Sequence, residues 1–344
     1  MSDSKEIFEA IYHLRYRNLY REEDGMIQYS IGVDIGVDIT RLGIFFADGA
    51  MEDKWEIATE CKKGCKSVLK NIVYSINKTL EAKKIGKKNV IGIGVSIPGT
   101  VNEAGIADYC AELGWGIVNV KELLVKLCDL PVTVGNKANM AALGERWMGA
   151  SKGSSNSIAI LLDRQIGCGI IANGSLILGN RGLSGEIGSM TICTIVRPGG
   201  NIRCRELNEY ASEKGIIDAY QYSACDGQAH SFPDEAEITS NSIFEAGKAG
   251  DPLAQKIINE FGWGIACALI NLVLVIDPEV IVIGGEISEK GAIVLNCIEK
   301  YFKEKTSIGK EKVIVILSKL GRYAAVYGSA KYVMNSLESS INIR

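Results

Sequence analysis

The chain lacks a net charge large enough to organise a partner around it. Its 38 basic residues face 41 acidic ones across 344 residues, leaving −3 with histidine neutral. That near-balance removes any global electrostatic ground for a nucleic-acid or membrane-surface partner and points to small molecules. An apolar leader is missing too, because Met1-Ser2-Asp3-Ser4-Lys5-Glu6 contains none of the hydrophobic core of a secretion signal. The longest greasy stretch, Ile265 to Ile276, is interrupted by Asn271 and too short to span a bilayer. A cytoplasmic protein with no membrane contact is the expectation. Histidine is nearly absent, His13 and His230 being the whole complement, and the ten cysteines are scattered, with Cys61 and Cys65 as the one close pair. This spacing predicts free thiols in a reducing compartment, used as small buried hydrophobes, and it makes a poor metal site.

What is present is the material of two domains: 344 residues with 47% hydrophobic content exceed one ordinary core. Residues 5–21 carry Ile7, Phe8, Ile11 and Leu14 at helical spacing. Tyr29 to Asp34, Arg41 to Asp48 and Lys54 to Cys61 read as a strand meander, followed by a helix from Lys63 to Ala82 and a strand from Val90 to Ile97 halted by Pro98-Gly99. A helix at Val120 to Cys128, a strand at Pro131 to Val134 and a helix at Ala138 to Trp147 come next. After a loop at Ala150 to Ser155, strands Ser157 to Asp163 and Gly169 to Ile171 and the Asn173-Gly174 turn open a second strand group. Helices dominate from Ser212 until the buried strands Val280 to Ile283 and Val313 to Leu317, and a helix from Ala324 ends the chain.

Two strand-rich halves, each opening with a glycine turn, suggest backbone N–H groups that hold phosphates. Asp34-Ile35-Gly36, Ile166-Gly167-Cys168-Gly169 and Ile283-Gly284-Gly285 could each, taken singly, be a plain turn. Their order with Val95-Ser96-Ile97-Pro98-Gly99, Asn136-Lys137-Ala138-Asn139 and Gly185-Glu186-Ile187-Gly188 carries more. In that order the chain, from Tyr29 onward, resembles the ROK family of repressors, open-reading-frame proteins and sugar kinases. The resemblance implies an α/β, two-domain actin-like ATPase (ribonuclease H-like) fold with a central cleft. Its domains would be residues 29–136 plus 324–344, and residues 137–323. It further implies a hexose contacted by Gly99, Asn136, Glu186 and Glu112, nucleotide across Gly36, Gly167, Gly284 and Gly285, and a homodimer.

Against that pattern the chain departs where phosphoryl transfer would occur. The family's kinases have an Asn-Asp-Ala-Asn segment whose aspartate accepts the proton of the attacking hydroxyl, a role contributing about two to four powers of ten in rate. Here the segment carries Lys137, and an ammonium cannot accept a proton. The family's Asp-Ile-Gly-Gly-Thr becomes Asp34-Ile35-Gly36-Val37-Asp38, adding bulk and a carboxylate where phosphate would approach. Its Gly-Thr-Gly becomes Asp163-Arg164-Gln165. A zinc-binding histidine becomes Ser189, and between Ser189 and Ser212 only Cys193 and Cys204 remain of the family's three cysteines, so no zinc is expected. Asn208 aligns with a glutamate of the family's sugar shell, with Glu209 one place off.

The expectation is therefore a non-catalytic relative, with no catalytic residue and no cofactor, binding a small sugar as a sugar-responsive regulator or ligand-binding module. Residues 1–28 are too short for the winged helix-turn-helix of the family's repressors, so no direct nucleic-acid contact is expected. The segment from His13 to Arg21 reads as a packing helix with solvated arginines. The alternative is an ATP- and magnesium-dependent hexose kinase using another carboxylate, Asp38 or Asp163.

Overall fold

The computed structural model describes residues 28–195, 202–225, 238–305 and 313–341; the helix read over residues 5–21 lies outside the described residues. The chain divides into two compact units, one running to Asn136 and resuming at Val326, the other spanning Lys137–Ala325.

In the first unit β1 (Tyr29–Ile35), β2 (Ile39–Phe46) and β3 (Met51–Ala58) form an antiparallel meander. After α1 (Cys65–Ala82), β4 (Val90–Ile97) lies parallel to β1. A small sheet of β5 (Thr100–Val101), β6 (Ile106–Tyr109) and β7 (Val118–Asn119) follows. Beyond α2 (Val120–Cys128), β8 (Val132–Asn136) completes the order β3-β2-β1-β4-β8. Strands β1 and β4 are buried along nearly their whole length, and in β1 that burial takes in Ser30 and Asp34 beside its apolar residues. Val68, Leu69, Ile72, Ile76 and Leu80 place one face of α1 in the core, at the three- and four-residue spacing of an amphipathic helix. The C-terminal helix, Ala324–Ile341, presses its backbone onto the sheet. A Cβ at Gly32 would stand 2.0 Å from the Val326 carbonyl oxygen, and one at Gly94 only 1.8 Å from that of Ser329, so glycine alone allows the approach.

The second unit repeats the plan. It begins with α3 (Lys137–Met148), β9 (Ser157–Leu162), β10 (Ile166–Ala172) and β11 (Ser175–Leu176), then the isolated hairpin β12 (Thr191–Ile195) and β13 (Ile202–Glu206). Helices α4 (Leu207–Ala211), α5 (Glu213–Cys225), α6 (Ser240–Ala249) and α7 (Pro252–Ile276) come before β14 (Val280–Gly284), α8 (Ala292–Lys305) and β15 (Ile314–Leu317). The sheet order is β11-β10-β9-β14-β15, with β9 and β10 antiparallel and β14 parallel to both its neighbours. Meander followed by parallel strands is thus the sheet plan of each unit.

Helix α7 begins where the Asp251 carboxylate accepts the Ala254 N–H at 2.7 Å and Pro252 occupies the first turn. At 25 residues it is longer than the apolar stretch legible in the sequence, and long and apolar enough to cross a membrane by length and composition. Its Ile257, Phe261, Ile265 and Leu269 are instead buried in the core of the second unit, with Phe244 and Tyr220. One expectation is corrected here: Cys193 and Cys204 are not free thiols but a disulfide across paired positions of β12 and β13. Antiparallel pairing brings their Cα atoms to 4.1 Å, a proximity that eleven residues of separation do not reveal.

Candidate functional site

In the first unit the C-terminal ends of the adjacent parallel strands β1, β4 and β8 bring three sequence-predicted positions to one sheet edge, where α/β sheets hold ligands. Asp34 pairs in register with Ser96, and Ile97 with Asn136. Asp34 is fully buried; one carboxylate oxygen accepts the Ser96 hydroxyl at 2.6 Å and the other has no hydrogen-bond partner among the described residues. The amide of Asn136 donates to the Gly99 carbonyl at 3.1 Å, tying the end of β8 to the turn after β4. Glu112, partly exposed, sits in a single 3-10 turn, Ala111–Leu113. That loop is anchored by the Cys110 thiol, which donates to the Pro98 carbonyl at 2.9 Å, and by the backbone bridge from Cys110 to Trp115. Gly36 has an internal reason to be glycine. A Cβ there would stand 2.6 Å from the Ile39 carbonyl, which accepts the Gly36 N–H across the turn.

In the second unit Lys137 opens α3, and its ammonium lies 3.0 Å from the Asp163 carboxylate at the end of β9. The other oxygen of that carboxylate accepts the backbone N–H of Glu286, just past Gly284-Gly285, at 2.7 Å. The Asp163 carbonyl in turn accepts the Glu213 N–H at 3.0 Å. Two departures from the family pattern therefore meet. The Asp163 carboxylate neutralises the Lys137 ammonium, and it occupies the N–H group after the glycine pair. Gly285, with φ +86°, is required by this arrangement, since a Cβ would stand 2.5 Å from the Leu162 nitrogen and 2.7 Å from the Asp163 carboxylate. Gly284 packs against Leu161 and Ser318. Gly167 is not in a turn but inside β10, where a Cβ would meet that of Ala138 at 2.8 Å. The apparent phosphate glycine is thus a packing position beneath α3.

Glu186 stands at the N-terminal end of the 3-10 turn Ile187–Ser189, exposed to solvent at its surface while Ile187 and Gly188 of the turn beneath it are buried. Burial holds its carboxyl above the ordinary glutamate range. No hydrogen bond to its carboxylate is formed among the described residues, which leaves it available as an acceptor. Beside it the Cys168 thiol is pushed up to about 12 by burial and by the Glu186 charge, and is unreactive. Asn208 turns to the backbone: its carbonyl oxygen accepts the Ile166 N–H at 2.9 Å, and its amide covers Gly188. Glu209 closes a capping box with Glu206 at the start of α4. A glutamate three residues after an acceptor at a helix start is the signal that could have found this cap. The Ser96 partner of Asp34 and the Glu286 N–H partner of Asp163 depend on cross-strand neighbours and leave no local signal. Ser189 supplies no imidazole, and Cys193 and Cys204, joined here as a disulfide, would supply at most two thiolates, so these residues do not fit a four-ligand structural zinc.

A family model described as the ROK family matches residues 30–336. The chain is 32% identical over 284 residues to a glucokinase of Halalkalibacterium halodurans, across 80% of this chain and 86% of that one. It is 28% identical over 322 residues to a xylose repressor of Caldicellulosiruptor bescii, across 90% and 79% of the two chains. Among solved structures it is similar to a ROK family glucokinase from Streptomyces griseus in complex with glucose and AMPPNP. That similarity has a TM-score of 0.72 at 25% identity and covers 89% of this chain and 99% of that one.

Proposed function

The chain belongs to the ROK family, and from that premise we propose that it is a non-catalytic, sugar-binding member, a sugar-responsive regulator or ligand-binding module and not a hexose kinase. The observation that carries this reading is the Lys137–Asp163 ion pair. In the family's kinases the Lys137 position holds the carboxylate that takes the proton of the sugar hydroxyl. Here that position is cationic, and it is neutralised from within the same unit. The N–H group after Gly284-Gly285 is already hydrogen-bonded to Asp163, so a triphosphate arriving there would displace an internal anion and meet its charge. Val37 and Asp38 act in the same sense at the first turn. On this reading the protein needs no ATP, magnesium or zinc.

Sugar recognition falls to the groups that remain. In the second unit the Glu186 carboxylate can accept a sugar hydroxyl, and in the first unit the Asn136 amide, tied to the Gly99 carbonyl, is a separate candidate contact. Relatives of both kinds, a glucokinase and a xylose repressor, support a sugar ligand without choosing between the roles. A second reading, a hexose kinase, is favoured by Asp34, whose buried carboxylate keeps one oxygen open.

A coupled assay with ATP, magnesium and a panel of hexoses and xylose separates the two. The expected result is no turnover, and rates of roughly 1 to 100 per second would overturn the proposal. Melting curves with each sugar are expected to show stabilisation of about 2.7 kcal/mol at a hundredfold excess over the dissociation constant. The reading includes a homodimer, which light scattering tests.

A further inference from the structure

We propose that Cys193 and Cys204 are a redox-active pair whose thiol–disulfide state controls the order of the Glu186 segment, and thereby the affinity of the sugar site proposed above. The functional consequence rests on that sugar-binding reading; the latch itself does not.

Four observations carry it. Both cysteines are exposed on the paired strands β12 and β13, so a solvent thiol or disulfide can reach them. Among the described residues the hairpin is a sheet of its own, hydrogen-bonded to no third strand. Two-stranded hairpins are marginal in water without further support. Its apolar anchorage is thin, because Ile192 is buried whereas Ile202 is 68% exposed. Finally, the hairpin joins the two segments that flank the candidate sugar contact. Glu186 to Met190 lead into β12, and β13 runs into Leu207-Asn208. The Leu207 N–H donates to the Met190 carbonyl at 2.8 Å, while Asn208 holds Ile166 and covers Gly188. A cross-link at the middle of the hairpin therefore closes the frame in which Glu186 sits.

The chemistry balances with a small-molecule disulfide as oxidant. The thiolate of Cys193 attacks one sulfur of R–S–S–R and expels RS⁻, giving a mixed disulfide. The Cys204 thiolate then attacks the Cys193 sulfur and expels the second RS⁻. The protein has lost two protons and two electrons, and two RSH have formed. A small-molecule thiol reverses the sequence. Of the other cysteines, Cys168 and Cys297 are buried with thiols pushed up to about 12, and Cys65 and Cys110 are pushed up to about 11, while Cys225 is free and exposed, so the link must be read on the Cys193 and Cys204 peptides themselves.

The test uses the full chain, with glutathione as the thiol and glutathione disulfide as the oxidant. Peptide mass spectrometry after alkylation reads the Cys193–Cys204 link, amide exchange reads residues 186–208, and calorimetry reads sugar binding. Faster exchange in the reduced protein and in Cys193→Ser, with a severalfold loss of sugar affinity in both, is the expected result. Exchange that is identical in the two redox states, or absence of the link under oxidising glutathione, overturns the latch. If no sugar binds in either state, the sugar-binding reading fails, and with it redox control of affinity, while the exchange data still decide the latch. If exchange changes but affinity does not, the latch stands and its control of the site is overturned.

Discussion

Asp163 is one carboxylate shared between an ammonium at 3.0 Å and a backbone N–H at 2.7 Å. The side chains of Lys137 and Asp163 are 28% and 19% exposed, so solvent screens part of their attraction. Breaking the pair matters more than forming it, because the survivor stays partly desolvated. Asp163→Ala is expected to lower unfolding stability by about 2 to 3 kcal/mol, since it removes the carboxylate beside Lys137 and takes from the Glu286 N–H its acceptor. Lys137→Ala is expected to cost less, about 1 to 2 kcal/mol, because the carboxylate keeps its backbone donor. In urea titrations the double variant should lose less than the sum of the two. Glu186 behaves oppositely. Its folded-state pKa is raised by burial, so the folded protein binds its proton more tightly than the unfolded chain does. Its contribution to stability is full below the ordinary glutamate range and is lost as pH rises through the folded value. Glu186→Gln is therefore expected to be more stable than the parent at neutral pH, with the gain vanishing in acid, while its sugar affinity falls. A stability gain that persists unchanged at low pH would contradict the burial argument.

At the scale of elements, the close approach of the C-terminal helix to β1 and β4 is the feature most sensitive to a single methyl group. Gly32→Ala or Gly94→Ala would place a Cβ about 2 Å from a helix carbonyl oxygen, and either is expected to cost about 3 kcal/mol or more. Gly116→Ala, where a Cβ meets nothing within 4 Å, should stay within about 0.5 kcal/mol in the same chemical denaturation series. Sequence reading found the buried elements because their signal is local. Strands β4, β9 and β14 are largely apolar runs, β1 alternates Ile31, Val33 and Ile35 with smaller or polar residues, and α1 shows its stripe. The hairpin β12–β13 escaped it because Ile-Arg-Cys-Arg-Glu carries little apolar periodicity, and its pairing is fixed by a partner strand. The edge strand β3 starts at Met51, three residues before the expected Lys54, because its half-buried alternation of Trp55 and Ile57 with Lys54 and Glu56 blurs the start. Site residues divide the same way. Asp34, Ser96, Gly99, Asn136 and Glu186 all stand on motifs legible in the sequence, whereas the contacts that join them, Ser96 to Asp34 and Asn136 to Gly99, and the Cys193–Cys204 disulfide come from pairing and close approach.

For the molecule as a whole, one sheet plan occurs in two units, and the chain passes between them at Asn136/Lys137 and again at Ala325/Val326. Scaffold glycines such as Gly32, Gly94, Gly167 and Gly169 serve packing in each unit, so retaining them says nothing about catalysis. Loss of phosphoryl transfer, on the reading proposed here, is then distributed over Val37, Asp38, Lys137 and Asp163. It follows that restoring the family's aspartate alone should fail. Lys137→Asp would set a second carboxylate against Asp163 at the site of the present ion pair. The variant is expected to be less stable than the parent and to show no turnover with ATP, magnesium and any hexose. Adding Asp163→Gly removes the repulsion and frees the Glu286 N–H, and adding Val37→Gly with Asp38→Thr clears the first turn. Measurable turnover is expected first in that fourfold variant, read in the same coupled assay. Turnover by Lys137→Asp alone would show that one residue, not four, separates this chain from a working kinase.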